Sequence, residues 1–110
     1  MANTFKNKQA VNVGTSTVSV YTVPSSTTTT LIGLTLANVS GASITATVAV
    51  TDTSASTTAN IIKNAPIPVG SSLIACGGDQ KVVLETGDIL KVTASASNSV
   101  DAIVSYMEQT

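Results

Sequence analysis

The sequence has 110 residues and a mass of 11.0 kDa, which suits one domain built around a single hydrophobic core. Five lysines and six acidic residues give a formal net charge of −1, which excludes the basic footprint of a nucleic-acid-binding protein. The chain has no apolar run long enough to span a membrane, and its first residues lack the apolar core of a signal peptide. We therefore expect one domain, made in a cytoplasm, whose partners are neither nucleic acid nor membrane.

Catalytic chemistry has few candidates in this sequence. It contains no histidine and one cysteine, Cys76, so a histidine-dependent triad, an intrachain disulfide and an imidazole or thiolate metal cluster cannot form. Cys76 has no base to activate its thiol and is expected to be a small buried apolar residue. We expect no enzyme activity, no metal and no cofactor. Four acids could supply oxygen ligands to calcium, but their spread over separate turns favours turn and edge roles: Asp79, Glu85, Asp88 and Asp101.

The composition favours β structure along the whole chain. Hydrophobic residues make up 43% of the sequence and charged residues 10%, and valine, isoleucine and threonine outnumber the strong helix formers. Short runs with period-two alternation are separated by turn residues, as in half-buried antiparallel strands. In chain order, the predicted strands are residues 17–23, 27–38, 44–51, 61–63, 72–76, 80–84, 89–94 and 100–108.

The connections between these strands carry their own signals. Gly33 interrupts the second predicted strand and marks a bulge or a close backbone approach. The short segment 39–42 predicts a hairpin between the second and third strands. The small polar residues 52–58 predict the longest exposed loop. Pro66 and Pro68 restrict their segment to a sheet edge or to a crossover between sheets.

The last part of the sequence predicts a tight turn and a half-buried strand. Residues 85–88 form the turn, in which Gly87 is free to adopt a positive φ. The closing strand places four apolar residues on one face: Val100, Ala102, Val104 and Tyr106. About eight strands with regularly spaced turns predict an all-β fold, an antiparallel β-sandwich of the jelly-roll or immunoglobulin-like type.

The domain organisation is predicted as an N-terminal arm over residues 1–9 and a single β-sandwich over residues 10–110. The arm is polar but holds Phe5, one of three aromatic residues, together with Lys6 and Lys8. It is either a frayed terminus or an arm that docks Phe5 on a neighbouring subunit. These three residues are the candidate partner contacts. A surface rich in threonine and serine and poor in charge also suits a protein held in a dense assembly.

The sequence resembles a family of small virion structural proteins of tailed bacteriophages, especially those of marine bacteria and cyanobacteria. The resemblance covers almost the whole chain and is carried by residues 21–24 with the threonine tract after them, 31–38, 63–70, 77–88 and 100–108.

Within that family the resemblance implies a capsid decoration, or cement, protein. Such a protein would bind the major capsid protein on the outer head surface, stabilise the capsid lattice, and self-associate as a homotrimer in the virion. The alternative is a tail, neck or fibre-associated structural or host-adhesion protein. Receptor-binding tips rely on aromatic side chains, and the sequence has only three, which argues against this alternative. A secreted carbohydrate-binding or hydrolytic β-sandwich is a third possibility. The absence of tryptophan and histidine argues against it.

Overall fold

The computed structural model describes residues 2–77 and 81–110, and these residues form β-strands and turns without a helix. The nine strands, in chain order, are β1 (Asn3–Val13), β2 (Val18–Thr22), β3 (Thr28–Asn38), β4 (Ile44–Asp52), β5 (Thr57–Ile67), β6 (Ser72–Cys76), β7 (Val82–Leu84), β8 (Ile89–Ala94) and β9 (Val100–Gln109).

The strands form two antiparallel sheets. Sheet A has the order β1-β9-β3-β6, with β7 also paired to β3, and sheet B has the order β2-β8-β4-β5. Since β6 and β7 pair with successive parts of β3, they act as one interrupted strand. Counted in chain order, the first strand pairs with the last, β1 with β9, and the second pairs with the second-last, β2 with β8. Inside these, β3 pairs with the interrupted strand and β4 pairs with β5. The predicted all-β antiparallel sandwich is confirmed, and the strand order is that of a jelly roll.

The core lies between the two sheets and is filled by alternate residues of each strand. On β9, the predicted face of Val100, Ala102, Val104 and Tyr106 is buried. Fully buried aliphatic side chains from both sheets complete the core, among them Leu31, Leu34, Leu36, Val48, Ile67, Leu84, Leu90 and Val92. Truncating one such leucine to alanine costs about 2–5 kcal/mol, so this packing holds the sheets together.

The two glycine predictions are both confirmed. The β3–β9 register shifts between Leu31 and Gly33, which is the bulge expected there. Gly87 has a φ of +88°, and the Asp88 N–H donates to the Glu85 carbonyl at 2.9 Å to close the predicted turn. A Cβ atom at Gly87 would lie 2.8 Å from Thr53 Oγ1, so this turn also packs closely on the β4–β5 connection.

The predicted hairpin between β3 and β4 is wrong. The two strands belong to different sheets, and residues 39–43 carry the chain across the sandwich. The Asn38 side chain stabilises this crossing: its Nδ2 donates to the carbonyls of Ala42 and Ile67, each at 2.9 Å, and its Oδ1 accepts from Ser40 N and Oγ. A two-residue alternation predicts which face of each strand is buried, but it does not tell which sheet the strand joins.

The long loop predicted over residues 52–58 is much shorter in the structure. β4 and β5 form a hairpin whose turn is residues 53–56, and β5 continues to Ile67 instead of covering only residues 61–63. Asp52 Oδ1 accepts hydrogen bonds from the N–H and Oγ of Ser54 and from Ala55 N–H, which orders the turn. β5 is an edge strand of sheet B that includes Pro66, and the chain then passes to sheet A, as the proline pattern predicts.

Candidate functional site

The acidic residues considered as metal ligands do not come together in the described part of the chain. Asp79 lies outside the described residues, and no group of three potential metal ligands occurs within residues 2–77 and 81–110. Cys76 is 2% exposed, as expected for a buried apolar role, and burial raises the pKa of its thiol. The described residues open no ligand pocket, and none of them belongs to a helix that could cross a membrane.

The segment predicted as an arm is the larger part of strand β1. It pairs with β9 in an unbroken register from Asn3 opposite Gln109 to Ala10 opposite Ala102. The side chains of residues 3–9 are all exposed, so backbone hydrogen bonds rather than buried apolar groups hold this stretch in place. The terminus is therefore ordered by its ladder and not frayed, while the division into an arm and a sandwich domain stays a prediction.

β1 leaves one of its backbone edges open. Among the described residues it pairs only with β9, so it is the last strand of sheet A. Ala2 and Thr110 exchange two backbone hydrogen bonds, of 3.2 and 3.0 Å. Because bonding alternates along an antiparallel ladder, every second residue from that pair faces β9, and the others direct their N–H and C=O groups to the open edge. The residues facing the open edge are Asn3, Phe5, Asn7 and Gln9.

The structure separates the three candidate partner contacts. Phe5 lies opposite Met107 on the outer face of sheet A and is 72% exposed. Lys6 and Lys8 lie opposite Tyr106 and Val104, on the side of β1 that faces the sandwich. The two lysines share one face and Phe5 is on the other, so no single surface contains all three side chains.

A buried carboxylate, Glu108, anchors β1 to the rest of the sandwich. Lys6 Nζ lies 2.9 Å from Glu108 Oε1. The Tyr21 hydroxyl donates to Glu108 Oε2 at 2.6 Å and lies 2.7 Å from Thr29 Oγ1. These four side chains come from β1, β9, β2 and β3, so the cluster joins the two sheets at one end of the sandwich.

Hydrogen bonding and burial set the electrostatics of this cluster. The bond from Tyr21, followed by the one from Lys6, holds the pKa of Glu108 below its usual range. Burial, followed by the bond to the Glu108 carboxylate, raises the pKa of Tyr21. The bond to Glu108 raises the pKa of Lys6. Glu108 is therefore ionised and Tyr21 neutral at neutral pH, which is the charge state that the hydrogen bonds require.

Sequence reasoning missed Glu108, Tyr21 and Thr29 as a unit. One signal for it exists: Glu108 is the next inward position after Tyr106 on an alternating strand, and a charge at an inward position needs a partner. The partner cannot be read from the sequence, because Tyr21 is 87 residues away along the chain.

Comparison with known proteins shows similarity of fold alone. The sequence matches no protein-family model, and no curated protein matches it. The fold is similar to that of a solved structure from Bacillus endospore appendages, which are described as a novel family of disulfide-linked pili. The TM-score is 0.54 at 12% identity, over 100% of this chain and 91% of that one. The chain therefore shares its fold with a protein of these endospore appendages.

Proposed function

We propose that this chain is a non-catalytic structural subunit that attaches to a larger assembly through the open edge of β1. The observation that carries the proposal is the edge itself: an 11-residue strand whose first seven residues have exposed side chains and whose outer backbone groups have no partner strand among the described residues. An open edge is a template for an added strand, in which main-chain hydrogen bonds supply affinity.

The charge of β1 favours a different protein over a second β1 strand as the partner. Lys6 and Lys8 lie on one face, and only Lys6 forms a salt bridge, with Glu108, so two β1 strands side by side would bring the two Lys8 ammonium groups close together. Because Glu108 compensates Lys6 within the same molecule, Lys8 is the charge that favours an acidic partner strand. Lysine on an edge strand is a common device against self-association of edges.

The finer proposal is that the partner is the major capsid protein of a tailed bacteriophage, and that the chain is a decoration protein on the outer head surface of the virion. It is supported by the resemblance of residues 21–38, 63–70, 77–88 and 100–108 to phage structural proteins and by the charge-poor surface. Repeated weak contacts on a lattice would stabilise the head through their combined strength. The jelly roll is also an architecture of viral capsid proteins, although the fold alone does not decide function.

The second candidate is a subunit of a tail, fibre or other filamentous appendage. The similarity of fold to the endospore appendage structure favours it. Those pili are described as disulfide-linked, whereas the one cysteine of this chain is 2% exposed. A filament of this protein would therefore be held by non-covalent contacts. A decoration protein stays dispersed until it meets capsids, while a filament subunit polymerises alone, which electron microscopy of the purified chain distinguishes.

The proposal is tested by blocking the β1 edge. Proline at position 7 removes an N–H that faces the open edge and leaves the β9 ladder intact, and its φ is compatible with an edge strand. Asn7→Pro should weaken binding to phage heads that lack the chain about tenfold, because it leaves a buried carbonyl of the partner strand unpaired. The matched control, Asn7→Ala, keeps the N–H and should bind as the wild type does. Equal binding by both variants would overturn attachment through this edge.

A further inference from the structure

The open edge of β1 presents a different chemical group on each of its two faces. Phe5 is 72% exposed on the outer face of sheet A, which it shares with the amide side chains of Asn7 and Gln9. Lys8 is exposed on the opposite face, three residues further along the strand. The side chains of an added strand alternate between the same two faces, so one set of them meets Phe5 and the other set meets Lys8.

Lys8 is the charge of β1 that lacks a counter-charge. Lys6 Nζ lies 2.9 Å from Glu108 Oε1, whereas Lys8 forms no salt bridge with a described residue. The other carboxylate oxygen of Glu108 accepts from the Tyr21 hydroxyl. An acidic residue opposite Lys6 would therefore share an ammonium group that is already paired, while one opposite Lys8 would meet an unpaired ammonium group. The charges on β1 thus favour one position for an acidic residue of the added strand.

The hydrogen-bonding pattern of β1 brings an added side chain close to Lys8. Ala2 and Thr110 exchange both backbone hydrogen bonds, so the N–H and C=O groups of Lys8, at an even number of residues from Ala2, face β9. On the open edge Lys8 therefore belongs to a non-hydrogen-bonded pair, in which the two Cα atoms approach to about 4.5 Å instead of about 5.5 Å. This is the closer of the two spacings, and it suits a contact between opposite charges.

The edge strands of a second copy offer no counter-charge to Lys8. The sheet edges are β1, β6 and β7 in sheet A, and β2 and β5 in sheet B, and none of these strands contains an acidic residue. The acidic residues of the described strands lie on β4 and β9, each of which pairs with a strand on both sides: Asp52, Asp101 and Glu108. Charge complementarity therefore favours a strand of a different protein.

We propose that the strand which adds to β1 comes from a different protein and runs antiparallel to β1, with an acidic residue opposite Lys8 and an apolar residue opposite Phe5. This inference rests on the proposed attachment through the β1 edge. In an antiparallel partner the acidic residue precedes the apolar residue by three positions. The two residues between them, opposite Asn7 and Lys6, are uncharged. The antiparallel direction follows from the greater stability per residue of antiparallel pairing.

NMR titration of the purified chain with short threonine-rich peptides tests this pairing. The forward peptide has aspartate three positions before leucine, the reversed peptide has leucine three positions before aspartate, and the neutral peptide has asparagine in place of the aspartate of the forward peptide. The forward peptide should shift the amide resonances that face the open edge, those of Phe5, Asn7 and Gln9. It should bind about threefold more tightly than either of the other two peptides.

Two lysine variants assign the preference to one charge. Lys8→Ala should bind the forward and neutral peptides equally, because the ammonium group opposite the aspartate is gone. Lys63→Ala removes an exposed lysine from the edge strand β5 and is the matched control, so it should keep the wild-type preference. Both side chains are exposed, and both variants should keep the wild-type circular dichroism spectrum.

The remaining outcomes separate an error in the pairing from an error in the site. Equal binding of the forward and neutral peptides, with shifts at the edge amides that Asn7→Pro abolishes, would overturn the acidic pairing and leave attachment through the edge intact. Tighter binding of the reversed peptide would overturn the antiparallel direction. If none of the peptides shifts the edge amides of the wild type, strand addition to β1 is wrong, and both this inference and the proposed function fail.

Discussion

Removing the Tyr21 hydroxyl is the sharpest perturbation of the cluster that ties β1 to the sandwich. In Tyr21→Phe the buried Glu108 carboxylate loses a donor at 2.6 Å, and Thr29 Oγ1 loses its partner at 2.7 Å. A hydrogen bond to a charged group contributes about 1.5–3 kcal/mol. We therefore expect Tyr21→Phe to lower the free energy of unfolding by about 2 kcal/mol, while the ring keeps its contact with Tyr106 at a centroid distance of 4.2 Å.

Urea unfolding followed by circular dichroism measures this loss. With a dependence of about 1–2 kcal/mol per molar urea, the midpoint should fall by roughly 1–2 M at an unchanged slope. Tyr106→Phe is the matched control. The Tyr106 hydroxyl makes no hydrogen bond to a described residue, while the Tyr106 ring contacts the ring of Tyr21. If Tyr21→Phe unfolds at the wild-type midpoint, or at that of Tyr106→Phe, the hydrogen bond to Glu108 does not stabilise the fold.

Three further predictions concern the same fold. The pKa of Glu108 in the folded protein lies below its ordinary value of 4.5, so its contribution to the free energy of unfolding is complete above pH 4.5 and is lost as the pH falls through the folded pKa. Urea titrations should therefore show the free energies of unfolding of wild type and Glu108→Gln converging toward low pH. Gly87→Ala should lower the free energy of unfolding by about 1–2 kcal/mol, because alanine is strained at the positive φ of this position. Adding Thr53→Ala should relieve only the close contact between the new Cβ and Thr53 Oγ1, as thermal unfolding of the single and double variants would show. Val48→Asp should unfold the domain by burying an unpaired charge at a fully buried position, and a wild-type circular dichroism spectrum would contradict the core assignment.

The strands that alternate in the sequence are those that the structure confirms, because alternation reports burial on one face. β1 was missed for the same reason: residues 3–12 have no apolar alternation, and their strand conformation comes from the ladder on β9. The wrong hairpin between β3 and β4 shows the other limit. Its crossing depends on Asn38 bonding to Ile67, a contact between residues 29 positions apart.

The candidate site was predictable in part. Once residues 3–9 are known to be a strand, alternation alone places Phe5 and Lys6 on opposite faces. The outer face of sheet A also left a trace in the sequence, since Ile74, Val83 and Ile103 are apolar residues at the outward positions of their strands. That these residues share one face of the sheet depends on strand order and register, which are set by tertiary packing and not by local pattern.

The number of copies of this chain per virion, measured by quantitative protein staining against the major capsid protein of the same purified particles, tests the proposed role most directly. A decoration protein repeated over the head lattice predicts about one copy for every one to three capsid proteins. A ratio of only a few copies per hundred capsid proteins would indicate a neck, tail or fibre component. Absence of the chain from purified particles would contradict a role in the virion.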